Sequence, residues 1–129
     1  MEVEILKGMD GGIPSALMNP MSLALQELDV FETTRDLRTF FERDTLKPWK
    51  NSLPEAGNLE SRVSLTIAFT NGVKRATNNN GTWFDGQRLL MIMIIELYAY
   101  YYSKAAVTDG LDRLMLVLTE QGYLKVSKK

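Results

Sequence analysis

From Leu89 to Ile95 every residue is apolar, and after a single carboxylate, Glu96, come Leu97, Tyr98, Ala99, Tyr100, Tyr101 and Tyr102. At about 3.6 residues per turn such a run puts apolar side chains on every side, the pattern of a helix enclosed by its neighbours. The run is too long for an ordinary strand. It is also shorter than the ~20 apolar residues a bilayer span needs, and it ends in tyrosines. Thr82 and Asp85 ahead of it have capping-box spacing, with Asp in place of Glu. The pattern therefore predicts a central helix over about 84–104.

The rest of the chain arranges itself around that helix. Glu2-Val3-Glu4-Ile5 alternates polar and apolar, as a short strand or extended arm does. Three glycines and two prolines in KGMDGGIPSALMNP break regular structure. A flexible or partner-contacting loop is expected at about 8–19, with Ile13, Leu17 and Met18 set on an apolar surface. Asn19-Pro20 reads as a helix start, with Leu25, Leu28 and Phe31 as its modest apolar face. Thr33 with Asp36 offers another cap, followed by Leu37, Phe40 and Phe41 in a new helix or a kinked continuation. A proline-containing connector from Thr45 to Gly57 carries Trp49 as its anchor, a residue suited either to burial or to an interface.

Leu59 to Thr77 carries two patterns at once. Val63, Leu65, Ile67 and Phe69 alternate with smaller or polar residues, and Asn71-Gly72 is a hairpin-turn signal. Against that, Asn58 is a good cap, Glu60 stands near a helix start, and Lys74 and Arg75 stand near its end. The second strand of a hairpin, VKRAT, alternates poorly, so helix is the preferred reading. A hairpin at about 62–77 is the alternative and would make the fold α+β. Downstream, Leu111, Leu114, Met115 and Leu118 recur at i, i+3, i+4 and i+7 behind a turn and cap in Val107-Thr108-Asp109-Gly110, and Gly122 closes that helix. Tyr123 to Val126 could form a second short strand. The sum is a mainly α single domain over 1–129, a bundle of four or five helices edged by short terminal strands.

Composition narrows the chemistry more than it names it. Hydrophobic residues make up 45% of 129, enough for a packed core. With no cysteine there is no disulfide, thiolate ligand or thiol nucleophile. With no histidine the chain lacks the commonest base and metal ligand at neutral pH. No metal site, cofactor motif or catalytic constellation is therefore expected. The opening residues MEVEILKGMD lack a basic segment followed by an apolar run, so no secretory signal is visible. The reading is of a cytoplasmic protein or one within an intracellularly assembled particle. Charge is uneven: residues 1–44 carry nine acids and four bases, residues 45–88 three acids and six bases. That dipole can orient a subunit, but it is too weak for a duplex-binding footprint.

Candidate contact residues follow from side-chain type. Tyr98, Tyr100, Tyr101 and Tyr102 cannot all face one core, and tyrosine is enriched at interfaces, as tryptophan is. With Ile13, Leu17, Met18 and Trp49 they form the expected protein interface. Arg62, Lys74, Arg75 and Arg88 are the candidate nucleic-acid contacts, a patch too small for tight binding. Glu96 is a buried charge that needs a partner, with Arg88 or Arg62 as the candidates.

The layout, a polar helix, an Asn/Gly turn, a strongly apolar helix and a final short helix, resembles that of small phage head–tail connector subunits. The dozen residues TTRDLRTFFERD resemble the TT-x-x-[IL]-R segment of helical small subunits in type III CRISPR effectors. The first resemblance implies a structural assembly role and the second a nucleic-acid-associated subunit. From the apolar and aromatic content, the long apolar loop and the lack of a catalytic constellation, the expected function is a non-enzymatic interaction or assembly subunit, partnered by itself or by other protein chains and by no membrane. The alternative is a helical subunit of a nucleic-acid complex.

Overall fold

A computed structural model describes residues 2–5, 14–73 and 89–127. Five α-helices follow a short strand: β1 (Glu2–Ile5), α1 (Ser15–Gln26), α2 (Thr34–Phe40), α3 (Leu59–Gly72), α4 (Leu89–Ser103) and α5 (Asp109–Glu120), and β2 (Leu124–Ser127) ends the series. Two 3-10 turns, Asp29–Phe31 and Lys47–Ser52, flank α2. The fold is mainly helical. The two strands pair antiparallel, with Val3 opposite Val126 and Ile5 opposite Leu124.

Side-chain caps account for three of the five helix starts. Thr33 Oγ1 accepts the Asp36 N–H at 3.0 Å, Asn58 Oδ1 accepts that of Ser61 at 2.8 Å, and Thr108 Oγ1 accepts that of Leu111 at 3.1 Å. Each bond satisfies one of the orphan donors of a first turn. α2 is thus a new helix, separated from α1 by the first 3-10 turn. The helix α1 begins at Ser15, ahead of the Asn19-Pro20 signal, and Pro14 stands at its cap without a side-chain bond. Pro20 lies inside it, where it cannot donate to the carbonyl of Ala16. Both residues are exposed, so water can take that carbonyl. The expected loop at 8–19 is therefore helical from Ser15, and residues 8–13, with Ile13, lie outside the described residues.

α3 overturns the hairpin alternative as far as Val73, and residues 74–77 lie outside the described residues. Its buried residues are Arg62, Val63, Thr66, Ile67 and Thr70, a helical spacing that the alternation at Val63 to Phe69 disguised. Two threonines on the core face obscure the pattern further. Thr70 Oγ1 bonds back to the carbonyls of Thr66 and Ile67 at 2.8 and 3.2 Å, so its hydroxyl needs nothing from the core. Asn71-Gly72 ends the helix instead of turning a hairpin.

α4 is the centre of the core. Leu89 to Ile94, Leu97, Tyr98 and Tyr101 are all buried there. It packs against α3, while α1 packs against both α3 and α5. The Leu89 N–H donates to the Val73 carbonyl at 3.1 Å, joining the end of α3 to the start of α4. The proposed Thr82/Asp85 cap falls outside the described residues.

Candidate functional site

Glu96, Tyr100 and Tyr101 of α4 meet the segment that runs from the first 3-10 turn to just past α2. Glu96 Oε2 receives the Nε–H of Arg43 at 2.5 Å. Arg43, just past the end of α2, is the partner the sequence did not disclose. Arg62 is engaged elsewhere, and Arg88 lies outside the described residues. The Arg43 guanidinium also sits 5.5 Å from the centre of the Phe40 ring and 5.8 Å from that of Tyr100. Tyr100 stacks edge-on against Phe40 and Tyr101, with its hydroxyl bonded to the Lys104 ammonium. A hollow of about 280 Å³ opens beside these groups, lined by Asp29, Glu32, Asp36, Thr39, Phe40 and Arg43 among others.

The four tyrosines do not form one contact surface. Tyr98 and Tyr101 are core residues. Tyr101 donates its hydroxyl proton to Asp29 Oδ1 and accepts the Val30 N–H at 3.3 Å, pinning α4 to the first 3-10 turn. Burial, with the Asp29 carboxylate beside it, pushes the Tyr101 hydroxyl far above the usual phenol range. Burial and the nearby Asp112 also raise Tyr98. Tyr100 is half-buried, and Tyr102 alone is open to solvent, its ring 6.0 Å from that of Tyr98. Leu17 is buried as well, Met18 is half-buried, and Trp49 is half-buried against the core. The interface expected from side-chain type is thus largely internal.

Arg62 is not a surface base. It is 7% exposed, and its two terminal nitrogens donate to three carbonyls: Phe31 and Glu32 at 2.9 Å and Ala56 at 3.0 Å. Those carbonyls belong to the end of a 3-10 turn and to a loop, where backbone acceptors lack helical partners. Arg62 therefore closes the backbone between α1 and α3 and is removed from any nucleic-acid surface. Lys74, Arg75 and Arg88 lie outside the described residues. Of the bases on the α2 side, Arg38 pairs with Glu55 at 3.0 Å and Lys50 with Glu42 at 2.7 Å. Lys50 holds the Glu42 carboxyl below its ordinary range.

The apolar surface lies on another side of the molecule. Leu23 on α1 and Leu116 on α5 are 57% and 56% exposed. Between the two helices runs a groove of about 480 Å³, walled by Leu17, Pro20, Leu23, Leu114 and Val117. The helices approach closely at Gly110, where an added methyl group would run into the Glu27 carboxylate. The sequence did carry a signal for this face. Leu23 and Leu116 are leucines off the buried stripes of their own helices, a feature that composition and periodic matching pass over.

No protein-family model matches this chain, and no curated protein or solved structure matches it. Among the described residues no group of acids is placed to hold a metal ion, and no helix is long and apolar enough to cross a membrane.

Proposed function

We propose that the protein is a non-enzymatic assembly subunit that associates with protein through the α1/α5 face. The observation that supports this is the apolar groove between α1 and α5, with the exposed Leu23 on its wall and a second exposed leucine, Leu116, next to the groove residue Val117 along α5. Water covers apolar area poorly, at about 25 cal/mol per Å². A contiguous apolar patch rimmed by polar residues is the usual mark of a contact site. Here Asn19, Glu27 and Arg113 supply that rim.

The test is a pair of substitutions, Leu23→Ser and Leu116→Ser, made together. Both side chains are exposed, so the helices should keep their circular dichroism and their cooperative unfolding. Association, read by light scattering for the protein alone and by co-purification for a second chain, should be lost. A protein that is monomeric, captures no chain, and is unchanged by the double substitution would sink the proposal.

A further inference from the structure

On α5, Arg113, Leu116, Val117 and Glu120 fall on one outward strip at about 100° per residue, opposite the buried Leu111, Leu114, Met115 and Leu118. Leu116 and Val117 form its apolar centre. A cation stands one turn toward the N-terminus of that centre and a carboxylate one turn toward the C-terminus. Neither Arg113 nor Glu120 belongs to an ion pair among the described residues. The last turn of α5 contains no base, and Glu120 stands at the end of the helix that favours positive charge.

We infer that this strip pairs with the same strip of a second copy about a two-fold axis through Leu116 and Val117, the two α5 helices running antiparallel. Residues 113 and 120 are equally far from that midpoint. In this register Arg113 of each copy meets Glu120 of the other, and both charges are answered at once. A parallel pairing would set arginine against arginine and glutamate against glutamate, so the charge order itself selects the antiparallel form. A self-matching face of this kind is what a two-fold dimer requires. A helix of twelve residues is only about 18 Å long. Pro20 and Leu23 on the neighbouring α1 therefore widen the contact toward the area of a stable interface, roughly 1,200 Å² or more. The inference rests on the assembly reading above and names its partner.

Arg113→Glu and Glu120→Arg test it, each alone and then mixed, with sedimentation or light scattering as the readout. The wild type should be a dimer, and each single variant should dimerise at least about tenfold more weakly. An equimolar mixture should regain dimers, because one variant then carries two acids on the strip and the other two bases. Should either charge reversal fail to fold, Arg113→Ala and Glu120→Ala must each weaken the dimer instead. A monomeric wild type would overturn self-pairing and leave association with another chain standing. Oligomers indifferent to both reversals, or variants that do not recover on mixing, would overturn this register. The assembly reading has its own separate test in the leucine pair.

Discussion

α4 and α5 are neighbours in the chain and opposites in design. α4 buries nine of its fifteen residues, and its apolar positions leave no solvent face until the tyrosines. α5 buries four of twelve, all on a single stripe. A helix enclosed on all sides contributes through its neighbours and tolerates a charge only where another element answers it, as Arg43 answers Glu96. A one-sided helix leaves a face free, and what stands on that face is open to use. The difference locates stability in α4 and the proposed contact on α5.

The comparison breaks most visibly with one charge placed on each helix. Ile94→Asp would bury an unpaired carboxylate at a fully enclosed position. Its cost, several kcal/mol or more, rivals the roughly 5–15 kcal/mol that hold a domain together, so cooperative unfolding should vanish. Leu116→Asp on α5 should shift stability by no more than about 0.5 kcal/mol while affecting association. Denaturant titration of both variants decides. A folded Ile94→Asp would mean that α4 is not the centre of the core.

Tyr101→Phe is next in size. It strands the Val30 N–H and removes the bond to Asp29, at a cost of about 1–3 kcal/mol at neutral pH. It also changes the alkaline limb. The folded-state pKa of Tyr101 is raised, so its contribution is fully present below the unfolded tyrosine value near 10. Above that value the unfolded chain loses the proton first, and stability falls by up to about 1.4 kcal/mol per pH unit for this one group. Removing Tyr101 should flatten that slope. An unchanged pH profile would show that the hydroxyl is solvated in the folded protein.

A smaller effect is expected from Glu96→Gln. The pair is partly exposed, at 22% for Glu96 and 37% for Arg43, so solvent screens it. The loss should be about 0.5–1 kcal/mol. Pairing Glu96→Gln with Arg43→Met in a double-mutant cycle would isolate the interaction, and a coupling of zero would reduce the contact to proximity.

These two helices also mark what the sequence can disclose. The stripe of α5, the turn and cap ahead of it and its closing glycine are local signals, decided within a few residues, and they could be read directly. So could the enclosed character of α4 and the caps at Thr33 and Asn58. Other features arise from chain segments that meet only on folding. Arg43 and Glu96 are 53 residues apart. Arg62 is indistinguishable in sequence from a surface base until the carbonyls of Phe31, Glu32 and Ala56 close around it. The start of α1 was hidden for a different reason. Pro14 caps it without a side-chain bond, while Asn19-Pro20, a strong start signal elsewhere, lies inside the helix. The tyrosines misled because residue type alone suits an interface or a core equally well.

The smallest effects sharpen the comparison at the two C-termini, which share one geometry. After α5, the Gly122 N–H bonds to the Thr119 carbonyl at 3.1 Å and the Tyr123 N–H to that of Leu118 at 2.9 Å. After α4, the Ala105 N–H bonds to the Tyr102 carbonyl at 3.1 Å and the Ala106 N–H to that of Tyr101 at 2.9 Å. Both are Schellman closures, and both need a left-handed residue at the turn. Gly122 meets that need at φ 81°, whereas Ala105 meets it at φ 53° with a Cβ in the way. An L-residue there costs roughly 1 kcal/mol, part of which glycine returns through the freedom of the unfolded chain. Ala105→Gly should therefore raise stability by a few tenths to about 1 kcal/mol. Gly122→Ala should lower it by about as much. No atom lies within 4 Å of where a Cβ on Gly122 would stand, so that loss is conformational and not a clash. Unfolding midpoints should move in opposite directions with the denaturant slope unchanged. If Ala105→Gly destabilises instead, the left-handed turn is not what closes α4, and the likeness between the two helix ends is only geometric.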